Sequence, residues 1–150
     1  MTDPEPLSRR FALALHRATA LVDRVADAHL RPAHGIGVSE LAALATIDAL
    51  EPARQSTVAA ALDVSRSAVT QRLASLTRDG LVAVVADPDD RRANVVGLTP
   101  AGRALLAAAW ESLARHDDGL EEGVDVPALV AALDRVAANA ERHLAAVRRP

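Results

Sequence analysis

The chain of 150 residues has no cysteine, no lysine and no tyrosine, and only one phenylalanine, one tryptophan and one methionine. Without thiols it has no disulfides, no thiolate metal site and no cysteine redox sensor. Long apolar runs are absent too. Half of the residues are apolar, yet Arg, Asp or Glu interrupt every stretch before it nears the roughly 20 residues of a membrane helix. The opening "MTDPEPLSRR" is acidic and proline-bearing, with no apolar core leading to a small-residue cleavage site, so a secretory signal is not expected and the cytoplasm is. All 17 basic residues are arginine. Alongside the abundant alanine, that bias reads as base composition of the genome and says little about any one site.

Catalytic patterns are also missing. His16, His29, His34, His116 and His143 form no helical i, i+4 ligand pair and no His-Glu-x-x-His. Ser39, Ser65 and Ser67 lack the context of a nucleophile elbow, and the glycines make no phosphate loop. An enzyme is not expected, nor a cofactor. The net charge of −3 hides an asymmetry. Residues 54–103 carry seven Arg against five Asp, and the rest carry ten Arg against fifteen acids. The middle third is therefore the less acidic part, which supports nucleic-acid binding only weakly.

Periodicity divides the chain. Phe11, Leu15, Ala18, Val22 and Val25 step by four, three, four and three, a single helical stripe over 8–30. "RPAHGIG" (31–37) is expected to break it. "VSELAALATIDAL" follows as a second helix with Ser39 as N-cap, Leu41, Leu44, Ile47 and Leu50 on one side, and Pro52 ending it. A short helix is expected at 57–62, then a second, capped by Ser65, running to about Thr77 with Gly80 as terminator. "LVAVVA" (81–86) and "ANVVGL" (93–98) read as a hairpin around a charged tip. Thr99 caps a helix with Pro100 in its first position, reaching about Arg115. "HDDGLEEGVDV" interrupts, and a last helix from Pro127 to about Val147 places Leu129, Leu133, Val136, Ala140, Leu144 and Val147 on one stripe.

On a helical wheel Val69, Leu73 and Leu76 share one face, and Ser67, Gln71, Ala74 and Arg78 the opposite one, flanked by Thr70 and Ser75. A lone helix with such a face is as readily a solvated surface. Here a short helix, a capped second helix and a charged-tip hairpin coincide within about 40 residues, the order of a winged helix-turn-helix. On that reading Gln71 and Ser67 reach base edges, and Arg66 and Arg72 suit phosphates.

"STVAAALDVSRSAVTQRLASLTRDGLV" followed by "DPDDRRANVVGLTPAGRAL" resembles the multiple-antibiotic-resistance regulator (MarR) family of dimeric transcription factors, over residues 56–106. That family's wing reads Asp-x-Arg-Asp-x-Arg, then an apolar strand and Leu-Thr-x-x-Gly. Here it is Asp87, Pro88, Asp89, Asp90, Arg91, Arg92, then "VVGLTPAG". Asp89 replaces an Arg of the pattern, and Val84 and Val85 stand where relatives often carry arginine. Fewer phosphate contacts would make the salt dependence of binding shallower.

The resemblance implies a mainly α fold with a small β-hairpin wing. A winged lobe at 38–106 lies between dimerisation helices at 8–30 and 127–147 within a single unit of 1–150. It implies a homodimeric repressor on a palindromic double-stranded DNA operator, contacted through Arg66, Ser67, Thr70, Gln71, Arg72, Arg78, Asp90, Arg91 and Arg92. A carboxylate such as Asp90 would hold Arg92 ready for DNA. The family commonly binds small aromatic or anionic effectors between arms and lobe, for which His16, His34 and Trp110 are the candidates here; no membrane is implied. Two rival readings stay open. One is a metal-responsive repressor using His116, Asp117, Asp118 and His143, and the other is a winged protein-interaction module without DNA binding.

Overall fold

Helix formation follows the apolar spacing and the caps. The structure is a computed structural model that describes residues 7–62, 64–90 and 92–147. It is mostly helical with one small antiparallel sheet. In chain order the elements are α1 (Leu7–His34), α2 (Val38–Leu50), β1 (Ala53–Arg54), α3 (Gln55–Ala61), α4 (Arg66–Arg78), β2 (Val82–Ala86), β3 (Asn94–Leu98), α5 (Pro100–Arg115) and α6 (Val126–Val147). They fall into two compact units, Met1–His116 and Asp117–Pro150.

In the first unit Leu30 of α1, Leu44 and Ile47 of α2, Val58 of α3, Val69 and Leu76 of α4 and Val96 of β3 are wholly buried in one core. The apolar face read for α4 is therefore the one that faces this core. Leu50, by contrast, is 39% exposed and stands outside the α2 stripe expected for it. The sheet order is β1-β3-β2, with Val84 opposite Val96 in the hairpin and Arg54 opposite Val95 on the other edge. Two residues are too few to show a strand period, which is why β1 left no mark in the sequence.

Two boundaries move. α1 continues through Pro32 to His34, and Gly35, at φ +71°, ends it while its N–H donates to the Arg31 carbonyl. The N-cap of α2 is Gly37, not Ser39. Glu40 reaches back to the Gly37 N–H at 2.9 Å, and Asp27 of α1 takes the Val38 N–H at 2.7 Å. These two carboxylates do the work expected of the Ser39 hydroxyl. The Val38 N–H, then Arg31, draw the Asp27 carboxyl below its ordinary value.

At the other end of the lobe, Ser65 and Thr99 cap α4 and α5, accepting from Ala68 N–H at 3.2 Å and Gly102 N–H at 3.0 Å. Glu51, just past α2, accepts the Leu98 N–H at 2.7 Å and pairs with Arg103. Burial opposes its charge, but Leu98 and Arg103 outweigh that and hold the carboxyl below its usual value. Arg103 also meets Asp48 at 2.9 Å, so α2, β3 and α5 are tied at one point.

In α6 no residue is buried, and Leu129, Leu133, Leu144 and Val147 are exposed. Phe11 and Val22 of α1 are exposed as well. No helix among the described residues is long and apolar enough to cross a membrane.

Candidate nucleic-acid interface

α4 presents two chemically different faces because its apolar residues recur at three and four. With Val69, Leu73 and Leu76 buried, Arg66, Ser67, Thr70, Gln71, Ala74 and Arg78 are exposed, while Arg72 and Ser75 are half-buried on the flanks. The Thr70 hydroxyl donates to the Arg66 carbonyl at 2.8 Å, so toward solvent it offers only its lone pairs. The Ser67 hydroxyl lies 3.0 Å from that of Ser65. Gln71 and Ala74 carry no such tether, leaving an amide and a small residue at the middle of the face. Among the described residues no carboxylate pairs with Arg66, Arg72, Arg78 or Arg92.

The wing is shaped by its carboxylates. Asp87 Oδ1 accepts the Asp89 N–H at 2.9 Å, and its Oδ2 accepts from Nε and Nη2 of Arg54 at 3.2 and 3.0 Å. The Asp89 N–H and then the Arg54 guanidinium hold the Asp87 carboxyl below its ordinary value against its burial. Asp90 takes the backbone N–H of Arg92 at 3.0 Å, and its other oxygen lies 3.6 Å from Arg54. This corrects the expectation that Asp90 holds the Arg92 side chain. At a two-residue spacing a carboxylate closes a turn on the backbone instead, so the guanidinium of Arg92 is left exposed. Arg91 lies outside the described residues. Asp89 is exposed, as are Val84 and Val85 on the outer strand.

Arg54 was not legible as part of this region. It sits 33 residues before Asp87 and reaches it only because β1 pairs with β3.

The three candidates for an effector site are not gathered in one cavity. Trp110, half exposed, lines a cleft of about 400 Å³ with Ala45, Asp48, Arg103, Leu106 and Ala107, and neither His16 nor His34 lines it. His16 is exposed on α1. His34 is half-buried and its Nε2 is buried without a hydrogen-bond partner. His116 stacks on His29 at a ring separation of 4.1 Å, and His29 Nε2 lies 2.6 Å from the Ser112 hydroxyl. Among the described residues no three His, Asp or Glu side chains come together as metal ligands.

Residues 34–93 match the model of the MarR family. The chain also superposes on the transcriptional repressor CouR, solved bound to a 23-mer DNA duplex, with a TM-score of 0.77 and 29% identity over 93% of this chain and 99% of that one. The matched stretch, from the end of α1 to the wing, is similar to the MarR family. The MarR-like fold extends over most of the chain. The M. tuberculosis regulator MosR in complex with DNA matches with a TM-score of 0.67 and 28% identity, covering 91% of this chain and 97% of that one. A mutant of MarR from E. coli, complexed with operator DNA, shares the fold with a TM-score of 0.75 at 22% identity over 88% and 99% of the two chains. No curated protein matches the chain significantly in sequence. The MarR-family match ends within the wing, so β3 and the Leu-Thr-x-x-Gly helix start lie beyond it.

Proposed function

We propose that this protein is a homodimeric transcriptional repressor of the MarR family that binds double-stranded DNA and is released by a small ligand. The observation that carries the reading is the uncovered polar face of α4, centred on Gln71 and Ala74, set in a lobe whose wing presents an exposed Arg92. That CouR and MosR, both above one-quarter identity, were solved on DNA supports it.

In this reading α4 enters the major groove. Gln71 and Ser67 meet base edges, the lone pairs of Thr70 add an acceptor, and Arg66, Arg72 and Arg78 face phosphates. Arg92 faces the minor groove, with Asp90 shaping its turn, and Arg91 is a second candidate for that contact. The lobe spans 38–106. The exposed stripes of 8–30 and 127–147 pack with those of a second copy, and a two-fold dimer offers two reading helices to palindromic half-sites about 34 Å apart.

An aromatic or anionic effector in the cleft beside Trp110 and Arg103 would favour a lobe spacing that no longer fits both half-sites. The protein needs no cofactor for this, works in the cytoplasm and is not an enzyme.

The test is a fluorescence-anisotropy titration of the full-length protein with the intergenic duplex beside its own gene and a random duplex of equal length. Tighter binding of the intergenic duplex is expected, and no binding of either duplex at low salt overturns the reading.

A further inference from the structure

Asp87 is the one buried charged side chain among the described residues, with 10% of its side chain exposed. A carboxylate removed from water that far is costly unless it is paired and hydrogen-bonded. Its partners are the Asp89 N–H on one oxygen and Arg54 on the other, and Arg54 is the only cation paired with it among the described residues. Arg54 comes from outside the wing. It ends β1, directly before α3, and its pairing with Val95 of β3 sets its side chain beside the wing root.

We infer that Arg54 is a positioning residue for the wing, bridging Asp87 and Asp90 so that the turn between β2 and β3 presents Arg92 in one orientation. The inference rests on the reading that the wing meets DNA. Its physical basis is a continuous chain of contacts. The Arg54 guanidinium lies against both carboxylates, at 3.0 and 3.6 Å, and these hold the backbone N–H groups of Asp89 and Arg92 at 2.9 and 3.0 Å. Both ends of the turn are thereby fixed to the residue that ends β1 and leads into α3. A tip held this way loses less conformational freedom when it binds, and the gain appears as affinity. With two carboxylates around it, Arg54 is neutralised locally. It adds no phosphate contact of its own and acts through Arg92. The aspartates crowding the arginines of the wing then have a defined part: two of them anchor the tip to Arg54.

The experiment compares full-length wild type, Arg54→Gln, Arg92→Ala and the double variant. It measures hydrogen exchange of the free proteins over 86–94 and 66–78, and affinity for the intergenic duplex over a series of salt concentrations. Arg54→Gln is expected to speed exchange of the wing about tenfold while leaving α4 unchanged. It should weaken DNA binding about tenfold, within the range expected for loss of one such interaction, without changing the salt slope. In the Arg92→Ala background the same change should cost nothing further.

A slope reduced by about 0.9, the value for one lost phosphate contact, with the loss persisting in the Arg92→Ala background, would show Arg54 touching DNA directly and overturn the inference. So would unchanged exchange over 86–94. Should Arg54→Gln fail to fold, Asp90→Asn, which removes the outer arm at an exposed position, is held to the same outcomes. If wild type binds no DNA the proposed function fails, while hydrogen exchange still decides whether Arg54 holds the wing.

Discussion

The carbonyl oxygen of Leu81 lies 2.0 Å from where a Cβ on Gly102 would stand. The first turn of α5 therefore rests on the backbone at the start of the wing. Thr99 locks the same junction, donating its hydroxyl to the Gly80 carbonyl at 2.6 Å and its N–H to the Leu81 carbonyl at 3.0 Å. The Leu-Thr-x-x-Gly pattern is a steric requirement: a cap that binds backward and a glycine where the chain approaches too closely for any side chain. Gly102→Ala forces backbone to move, and overpacking of this kind typically costs about 1–3 kcal/mol. A thermal melt should show a midpoint several degrees below wild type. An unchanged midpoint would mean that α5 shifts freely at this junction.

Arg92 and Gln71 are expected to separate affinity from selectivity. Arg92→Ala should weaken binding to operator and random duplex alike and lower the salt slope by about 0.9. Gln71→Ala should cost about 1–3 kcal/mol of discrimination between them, the worth of a good base contact, with a smaller loss on random DNA. Equal losses on both duplexes for Gln71→Ala would remove Gln71 from the reading face. Titrations at three or more salt concentrations distinguish the cases.

The Glu51–Arg103 pair carries a pH signature. Glu51 has a folded pKa below its unfolded value of about 4.5. Its contribution to stability is therefore full above that value and lost as pH falls through the lower folded one. Thermal midpoints of wild type and Glu51→Gln, compared from pH 7 to pH 3, should differ most at neutral pH and converge at the acid end. A gap that persists at pH 3 would assign the effect to shape and not to charge.

On the proposed dimer, the exposed stripes of α1 and of α6 each contribute to the contact with a second copy. Val22→Glu or Leu133→Glu is expected to lower the mass seen by light scattering from dimer to monomer and to weaken operator binding at least tenfold, since each monomer reads a single half-site. The midpoint of the winged core should hardly move, because neither residue is buried in it. A dimer that survives both substitutions places the subunit contact elsewhere.

What was legible in the sequence was local. Ser65, Thr99 and Pro100 announce helix starts because a cap acts within three residues, and the α4 stripe of Val69, Leu73 and Leu76 shows its inward face because a helix repeats every 3.6 residues. The hairpin and its charged tip were visible for the same reason. Ser39 misled because two carboxylates, one of them from α1, cap α2 two residues earlier, and a contact across 11 residues has no local sign.

The sequence by itself determined the order of the helices and the hairpin, the two faces of α4 and the resemblance to a family, since each rests on spacing along the chain. Only the tertiary structure decided that Asp90 grips the backbone of Arg92, that Gly102 lies against Leu81, and that Arg54 stands at the foot of the wing. The last two depend on strand pairing and close approach between distant segments, and the first on which donor the wing turn brings to the carboxylate. A two-residue strand opposite Val95 carries too few side chains to leave a pattern, yet it brings a guanidinium to a carboxylate 33 positions away.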